Sequence, residues 1–224
     1  LTQQVQSLSG RRAKADGTET EVVLDTANAL FGQRGLAFGQ VFLETLAREY
    51  GAGMQTVDYV ADTEAARAAV NDWTAERTRD KIPQILPGGA IDGLTRLVLV
   101  NALYLKAPWE RPFEVSATRA EPFTLLDGSR VTVDLMASYE PIADAGVVAD
   151  GWQGVRLGYA GGELAMTVVL PDQGRFAEVE ADLVASGTAA YLGALEPLQV
   201  TVRLPRWTFR TQAPLVEALK LLGG

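Results

Sequence analysis

The sequence TRLVLVNALYLKAPWERPFEV, Thr95 to Val115, decides the fold. Its segment Leu97–Leu105 is apolar apart from Asn101 and the hydroxyl group of Tyr104. An amphipathic helix would place polar residues at every third or fourth position, so this continuous apolar run predicts a strand that is buried on both faces. A buried carboxamide without partners costs about 1–3 kcal/mol. We therefore expect Asn101 to have hydrogen-bond partners elsewhere in the sheet.

The end of this strand is marked by a proline and a large aromatic residue. Lys106 begins the exit, and Pro108 fixes its own φ angle and disfavours helical geometry at Ala107. The chain is directed off the strand end, where Trp109 follows. The sequence therefore predicts a central strand with one specific polar contact and one aromatic side chain at its mouth.

The composition excludes several classes of function. The 224 residues are 47% hydrophobic and 21% charged, which is typical of a globular protein with a sizeable core. No stretch is apolar enough for a transmembrane helix, and the net charge of −8 argues against general nucleic-acid binding. The chain has no Cys and no His, which excludes disulfides, thiolate or imidazole metal ligands and a Ser-His-Asp triad. A catalytic site would have to use carboxylates or a Ser-Lys pair.

Two groups of charged residues each allow two interpretations. Three acids lie scattered on predicted turns and helix faces: Glu163, Asp172 and Glu178. They are either parts of an acidic site or ordinary solvated charges. Arg11, Arg12 and Lys14 form a basic cluster in a polar turn over residues 11–20, which is either part of a polyanion site or an exposed loop. We favour the solvated interpretation for both groups.

Periodicity predicts the elements on either side of the central strand. Before it we expect strands at 22–31 and 54–59 and helices at 38–50 and 63–77. Asp62 is a suitable N-cap for the second helix, and its apolar face, rich in alanine, would let it lie flat on a sheet. After the central strand we expect a hairpin with an Asp127-Gly128 turn, further short strands and two short helices. A single strand at 198–204, another at 208–212 and a final helix complete an α+β fold.

Several motifs, in the same order along the chain, resemble the serpin family. Asn71-Asp72-Trp73, Thr78 and Lys81-Ile82 are similar to its helix F region. Residues 100–106 and 109–113 are similar to the third strand of its sheet A and the exit from that strand. Further matches are Val133 and Met136, residues 168–172, residues 204–207, and Leu215, Leu219 and Gly223. Two departures are Ala107 and Asp80, which stand where the family usually has glycine.

The resemblance implies a serpin-like fold with a large, mostly antiparallel sheet A, helices and smaller sheets. Residues 1–224 would be the central part of a single serpin domain, without the reactive loop and its scissile bond. We expect the remaining serpin segments to be needed to complete the fold, because this piece would expose one edge of the strand at 97–105.

The resemblance also implies a protease inhibitor and no enzyme activity or cofactor. Inhibitory serpins trap a target serine protease, or sometimes a cysteine protease, when the cleaved reactive loop inserts into sheet A. The inserted strand completes the sheet, so the native state is held by kinetics rather than by equilibrium. The alternative is a non-inhibitory carrier or chaperone with the same fold. The sequence of the hinge before the reactive loop would distinguish the two functions. A third class, an unrelated enzyme, would need a mechanism without histidine.

Four residues acquire roles from this resemblance. Asn101 would belong to the shutter that holds the insertion slot closed, or else it is a satisfied core amide with no gating role. Trp109 would lie at the breach, where the loop first enters, and is a packing anchor in either case. Asn71 and Lys81 either fix the helix and its exit or take part in helix movement as the loop passes.

The expected partner is the target protease, with no nucleic acid and no membrane. The family resemblance favours an extracellular location. The many Ala, Gly and Leu residues, together with the lack of Cys and His, favour a bacterial source.

Overall fold

The computed structural model of the chain describes residues 7–50 and 53–209. Its contacts divide the chain into two compact units, Leu1–Arg111 with Gly158–Ala165, and Pro112–Leu157 with Met166–Gly224. Helices and several sheets are mixed along the chain, so the predicted α+β class is confirmed. No helix in the described ranges is long and apolar enough to cross a bilayer.

The first unit contains a mixed four-stranded sheet. Its elements are β1 (Gly10–Ala13), β2 (Glu19–Gln33), α1 (Gln40–Tyr50), β3 (Gly53–Val57), α2 (Thr63–Arg77) and β4 (Leu97–Lys106). The long strand β2 pairs antiparallel with β1 and β4 and parallel with β3. The predicted polar turn at 11–20 is partly wrong, because its first residues belong to β1. Helix α1 begins two residues later than predicted.

Helix α2 lies on one face of this sheet. The Asp62 carboxylate accepts a hydrogen bond from the Ala65 N–H, which confirms the predicted N-cap. Ala66 and Val70 enter a core cluster with Phe31 and Val100 from the strands and with Tyr59 from the segment between β3 and α2. Small side chains let the helix approach the strands closely, so the predicted flat packing on a sheet is confirmed.

The central strand β4 differs from the prediction in its burial. Alternate residues face α2, where Val100 is 5% exposed, whereas Leu99 and Leu103 on the other face are 63% and 56% exposed. Burial on both faces is therefore wrong for this strand within the described residues. The run of Leu and Val hides the alternation, because apolar residues occupy the exposed positions as well. None of the described strands pairs with the second edge of β4.

The remaining strands form two further sheets. One has the order β10-β7-β8-β9 and contains β7 (Ala143–Ala149), β8 (Trp152–Gly158), β9 (Ala165–Pro171) and β10 (Glu196–Val200). The other has the order β11-β6-β5 and contains β5 (Arg119–Thr124), β6 (Arg130–Ala137) and β11 (Arg203–Pro205). Two helices, α3 (Phe176–Ser186) and α4 (Ala189–Gly193), lie between β9 and β10 in the chain.

The predicted strand at 198–204 is wrong as a single element. Val200 pairs with Ala143 in one sheet, whereas Arg203 pairs with Ala137 in another. The alternation of side chains continues across the change of sheet, so the pattern alone does not reveal it. The Asp127-Gly128 hairpin turn is confirmed, with Gly128 at φ 82. Residues 208 and 209 are not in a strand, and the final helix falls outside the described residues.

Candidate functional site

The site begins with a pair of asparagines on neighbouring strands. Asn28 of β2 lies directly opposite Asn101 of β4, so the two side chains share a face of the sheet. The Asn101 Nδ2 group donates a hydrogen bond of 2.8 Å to Asn28 Oδ1. The predicted partner within the sheet is therefore confirmed. The predicted burial of Asn101 is wrong in the described chain, because its side chain lies on the exposed face.

The same face carries a second polar group. Thr26 is two residues before Asn28 and lies opposite Leu103. Its Oγ1 atom is buried and has no hydrogen-bond partner in the described part of the chain. A buried hydroxyl without a partner is costly, so this atom is a position at which a further polar contact would be stabilising.

The mouth of β4 is built around Trp109. It forms an antiparallel bridge with Tyr159, and the two rings stack with centroids 4.6 Å apart and planes 11° apart. Backbone hydrogen bonds on either side, from the Glu110 N–H to Gly158 and from the Ala160 N–H to Pro108, fix the two segments. Burial raises the pKa of Tyr159. Trp109 is thus the packing anchor that the sequence predicts.

Glu110 joins three parts of the chain at this mouth. Its carboxylate accepts hydrogen bonds from the Ala15 N–H, in the loop between β1 and β2, and from the Gly161 N–H at 3.1 Å. A charged acceptor strengthens both bonds. Sequence reasoning missed this role, because the residues that Glu110 binds are 95 and 51 positions away in the chain.

The basic cluster is neutralised within the chain. Arg11 pairs with Glu19 at 3.3 Å, Arg12 Nε donates to Glu163 Oε2 at 2.7 Å, and Lys14 lies 3.6 Å from Asp16. These pairings lend no support to a polyanion site, but the expected exposed loop is only partly right. Arg11 and Arg12 lie in β1, and the side chains of Arg12 and Lys14 are only 21% and 17% exposed.

Asn71 is buried in α2 and binds the segment that returns towards β4. Its Nδ2 group donates to the Leu86 carbonyl at 3.0 Å, and its Oδ1 atom accepts from the N–H groups of Ile85 and Leu86. Asn71 therefore orders the return segment. Lys81 is exposed, and within residues 7–50 and 53–209 its side chain forms no hydrogen bond or ion pair.

The four predicted site residues are not joined into one hydrogen-bonded group. No hydrogen bond joins any two of Asn101, Trp109, Asn71 and Lys81 in the described structure. They share an attachment to β4 or to the helix that covers it. Any common role would depend on movement of these elements rather than on a catalytic cluster.

Sequence reasoning missed two residues at the end of α2. Thr78, quoted above only as a motif match, is buried; its hydroxyl donates to the Thr74 carbonyl and accepts from the Ile82 N–H at 3.0 Å. Arg79 reaches two strands: its guanidinium lies 4.9 Å from the ring centroid of Tyr104 and 3.7 Å from Asp25. No local pattern announces the Arg79 contacts, because Asp25 and Tyr104 are distant in the chain.

The core beneath α2 includes a buried tyrosine. The Tyr59 hydroxyl donates to the Phe31 carbonyl at 2.8 Å, and the Tyr59 N–H donates to Gln33 Oε1 at 2.7 Å. Burial raises the pKa of Tyr59 to about 12. The residue ties β2 to the chain that leads into α2.

The described residues contain no candidate metal site. No group of three acidic side chains there could hold a metal ion. Of the candidate acids, Glu163 pairs with Arg12, and Glu178 pairs with Arg175, which lowers the pKa of Glu178. A cleft of about 310 Å³ lies beside the start of α2, but two of its three charged groups, Arg34 and Asp58, pair with each other, and the third, Asp62, caps the helix.

Comparison with known proteins identifies the family. The family model described as "Serpin (serine protease inhibitor)" matches residues 1–224. The chain belongs to the serpin family. It is therefore grouped with protease inhibitors rather than with enzymes, and the resemblance of its motifs is confirmed.

Individual relatives agree with this assignment. The chain is 32% identical over 205 residues to the serpin "Leukocyte elastase inhibitor" of Xenopus tropicalis, covering 89% of this chain and 54% of the relative. It is 33% identical over 201 residues to mouse "Antithrombin-III", covering 89% of this chain and 43% of the relative. The native stressed structure of Arabidopsis AtSerpin1 matches with a TM-score of 0.81 and 27% identity, over 97% of this chain and 54% of that one.

The chain spans about half the length of the curated serpins that it matches. The relatives named here come from a frog, a mouse and a plant, so they give the predicted bacterial source no support. That source stays a prediction.

Proposed function

We propose that the protein containing this chain inhibits serine proteases by inserting its cleaved reactive loop beside β4. The observation that supports the proposal most is that no strand among the described residues pairs with the second edge of β4, which lies next to exposed Leu99 and Leu103. An unpaired strand edge with an apolar face gains both hydrogen bonds and apolar burial when another strand joins it. Cysteine proteases are a second target class of this proposal.

The contacts around β4 suggest a role for each predicted site residue. The Asn28–Asn101 pair and the Thr26 hydroxyl, which has no partner among the described residues, lie on the face beside the second edge of β4, where polar contacts would be exchanged as a strand enters. The Trp109–Tyr159 stack fixes the mouth at which insertion would begin. Asn71 holds the return segment to α2, and Lys81 follows the helix end, so both would move with the helix.

The proposal requires segments that would follow and precede this chain in a full-length serpin. These segments would supply the reactive loop and would cover the exposed face of β4. We propose that residues 1–224 form the central part of one such domain and that the protein acts outside the cell.

The test uses the whole protein that contains this chain, mixed with a panel of serine proteases. A complex that survives SDS treatment is expected with at least one protease, because the acylated protease would be trapped covalently. If every protease only cleaves the protein and none is retained, the inhibitory function is contradicted. The non-inhibitory carrier or chaperone then becomes the better interpretation.

A further inference from the structure

The chain turns sharply after α2 at two residues in an unusual conformation. Arg79 and Asp80 follow the C-cap Thr78 and have φ angles of 51° and 60°. Residues other than glycine seldom adopt this left-handed region, because Cβ crowds the backbone. The Asp80 N–H donates to the Ala75 carbonyl at 2.8 Å, which closes the helix end. At this turn the Arg79 side chain lies over the sheet.

Arg79 contacts two strands at one place. Its guanidinium lies 4.9 Å from the ring centroid of Tyr104 in β4, and its Nη2 atom lies 3.7 Å from Asp25 Oδ2 in β2. Asp25 and Tyr104 are direct cross-strand partners. A single cation therefore connects the end of α2 to both strands through a cation–π contact and an ion pair.

The other polar contacts near this end of α2 have different targets. Asn71 binds residues 85 and 86, and the Thr78 hydroxyl binds Thr74 and Ile82. These contacts keep the helix and its return segment together. The Arg79 contacts instead connect the helix end to the sheet beneath it.

We propose that Arg79 is a positioning residue that holds α2 against β2 and β4 and slows the helix movement required for strand insertion. This inference rests on the proposed function, in which the helix yields to the incoming loop. Half of the Arg79 side chain is exposed, so its contacts are weak enough to break during insertion. A contact present in the native state and lost in the transition state raises the barrier to that transition.

The test measures the rate of loop insertion in the whole protein. A fluorophore on the reactive loop reports insertion after mixing with a serine protease. We expect R79Q to speed insertion about three- to tenfold, because one ion pair and one cation–π contact are lost. D25N should speed it less, since the Tyr104 contact remains, and the double variant should be no faster than R79Q. An unchanged rate in R79Q, or additive effects of the two changes, overturns the proposal.

A matched control removes a similar exposed ion pair elsewhere. R11Q breaks the Arg11–Glu19 ion pair, which joins β1 to β2 and not to α2. We expect its insertion rate to equal that of the unmodified protein. An R11Q rate as fast as that of R79Q would show a general charge effect and overturn the proposal.

A second measurement separates positioning from simple stabilisation. Amide hydrogen exchange over residues 74–82 should be faster in R79Q than in R11Q. A lower thermal midpoint in R79Q without faster insertion overturns the positioning role. If the unmodified protein neither traps a protease nor inserts its loop, the proposed function and this inference both fail. If it inserts and R79Q matches its rate, this inference alone fails.

Discussion

Asn71 shows how a residue unfavourable for a helix is accommodated by its tertiary contacts. Asparagine competes with the helix backbone for hydrogen bonds, so it is a poor residue for a helix interior. In α2 its carboxamide is buried and binds the backbone of Ile85 and Leu86 instead. The unfavourable effect of asparagine on the helix is thereby offset, because its hydrogen bonds order the segment that leads to β4.

Replacing Asn71 should therefore release this return segment. We expect N71A to lower the free energy of unfolding by about 2 kcal/mol, because buried backbone groups of residues 85 and 86 lose their partners. The thermal midpoint at a fixed scan rate and limited proteolysis between residues 82 and 95 are the measurements. The neighbouring variant D72A, at an exposed position, is the control. Equal midpoints for N71A and D72A would contradict this role.

The burial of Tyr59 predicts how the stability of the protein changes at alkaline pH. Burial raises its pKa from 10.0 to about 12, so the folded state favours the neutral phenol. The associated stability is fully present below pH 10 and is lost as the pH rises through 12, by roughly 2–3 kcal/mol. The variant Y59F should lack this decline. The difference in unfolding free energy between the two proteins should narrow over this range, and parallel curves would contradict the assignment.

At the scale of elements, Glu110 holds the exit of β4 against two other segments. The carboxylate binds backbone N–H groups of Ala15 and Gly161, beside the stacked Trp109–Tyr159 pair. We expect E110A to cost about 1–2 kcal/mol of stability, since two charge-assisted hydrogen bonds are lost. The loss of stability in E110Q should be smaller than in E110A, because the glutamine amide keeps one carbonyl acceptor.

Thermal unfolding and tryptophan fluorescence measure the effect of E110A. The exposed variant E114A serves as the control for charge removal. A fluorescence spectrum and a midpoint identical to those of E114A would show that Glu110 does not order the mouth of β4.

The sequence predicts where α2 and β4 lie better than it predicts which of their faces are covered. Helix α2 and its N-cap follow from the pattern around Asp62, and β4 follows from the apolar run at Leu97–Leu105. The exposed face of β4 could not be predicted, because leucine occupies its exposed positions and valine and alanine its covered ones, so both faces are apolar in sequence. The division of the predicted strand at 198–204 between β10 and β11 also could not be predicted. Alternation continues while the pairing strand changes.

The contacts of the candidate site were less predictable than its residues. Asn101 is marked by being the one amide in an apolar run, and the structure gives it the expected partner. The contacts of Arg79 and Glu110 join segments far apart in the chain, so local sequence carries no signal for them. Asp80 was noted as a departure from a usual glycine, and its φ of 60° gives the physical reason.

At the scale of the whole molecule, the account depends on the edge of β4. One edge pairs with β2 along Leu97–Lys106, and no described strand pairs with the other. In an antiparallel ladder, successive N–H groups of a strand point alternately to its two neighbours. Half of the β4 amides therefore have no strand partner among the described residues and would be available to an inserted strand.

Hydrogen exchange at these amides is the most direct measurement of this claim. In the whole protein, exchange at residues 97–106 is followed before and after cleavage of the reactive loop by a protease. The account predicts that the outward-facing amides become strongly protected after cleavage, while the amides paired with β2 change little. Unchanged exchange along the whole of β4 after complete cleavage would contradict strand insertion at this edge.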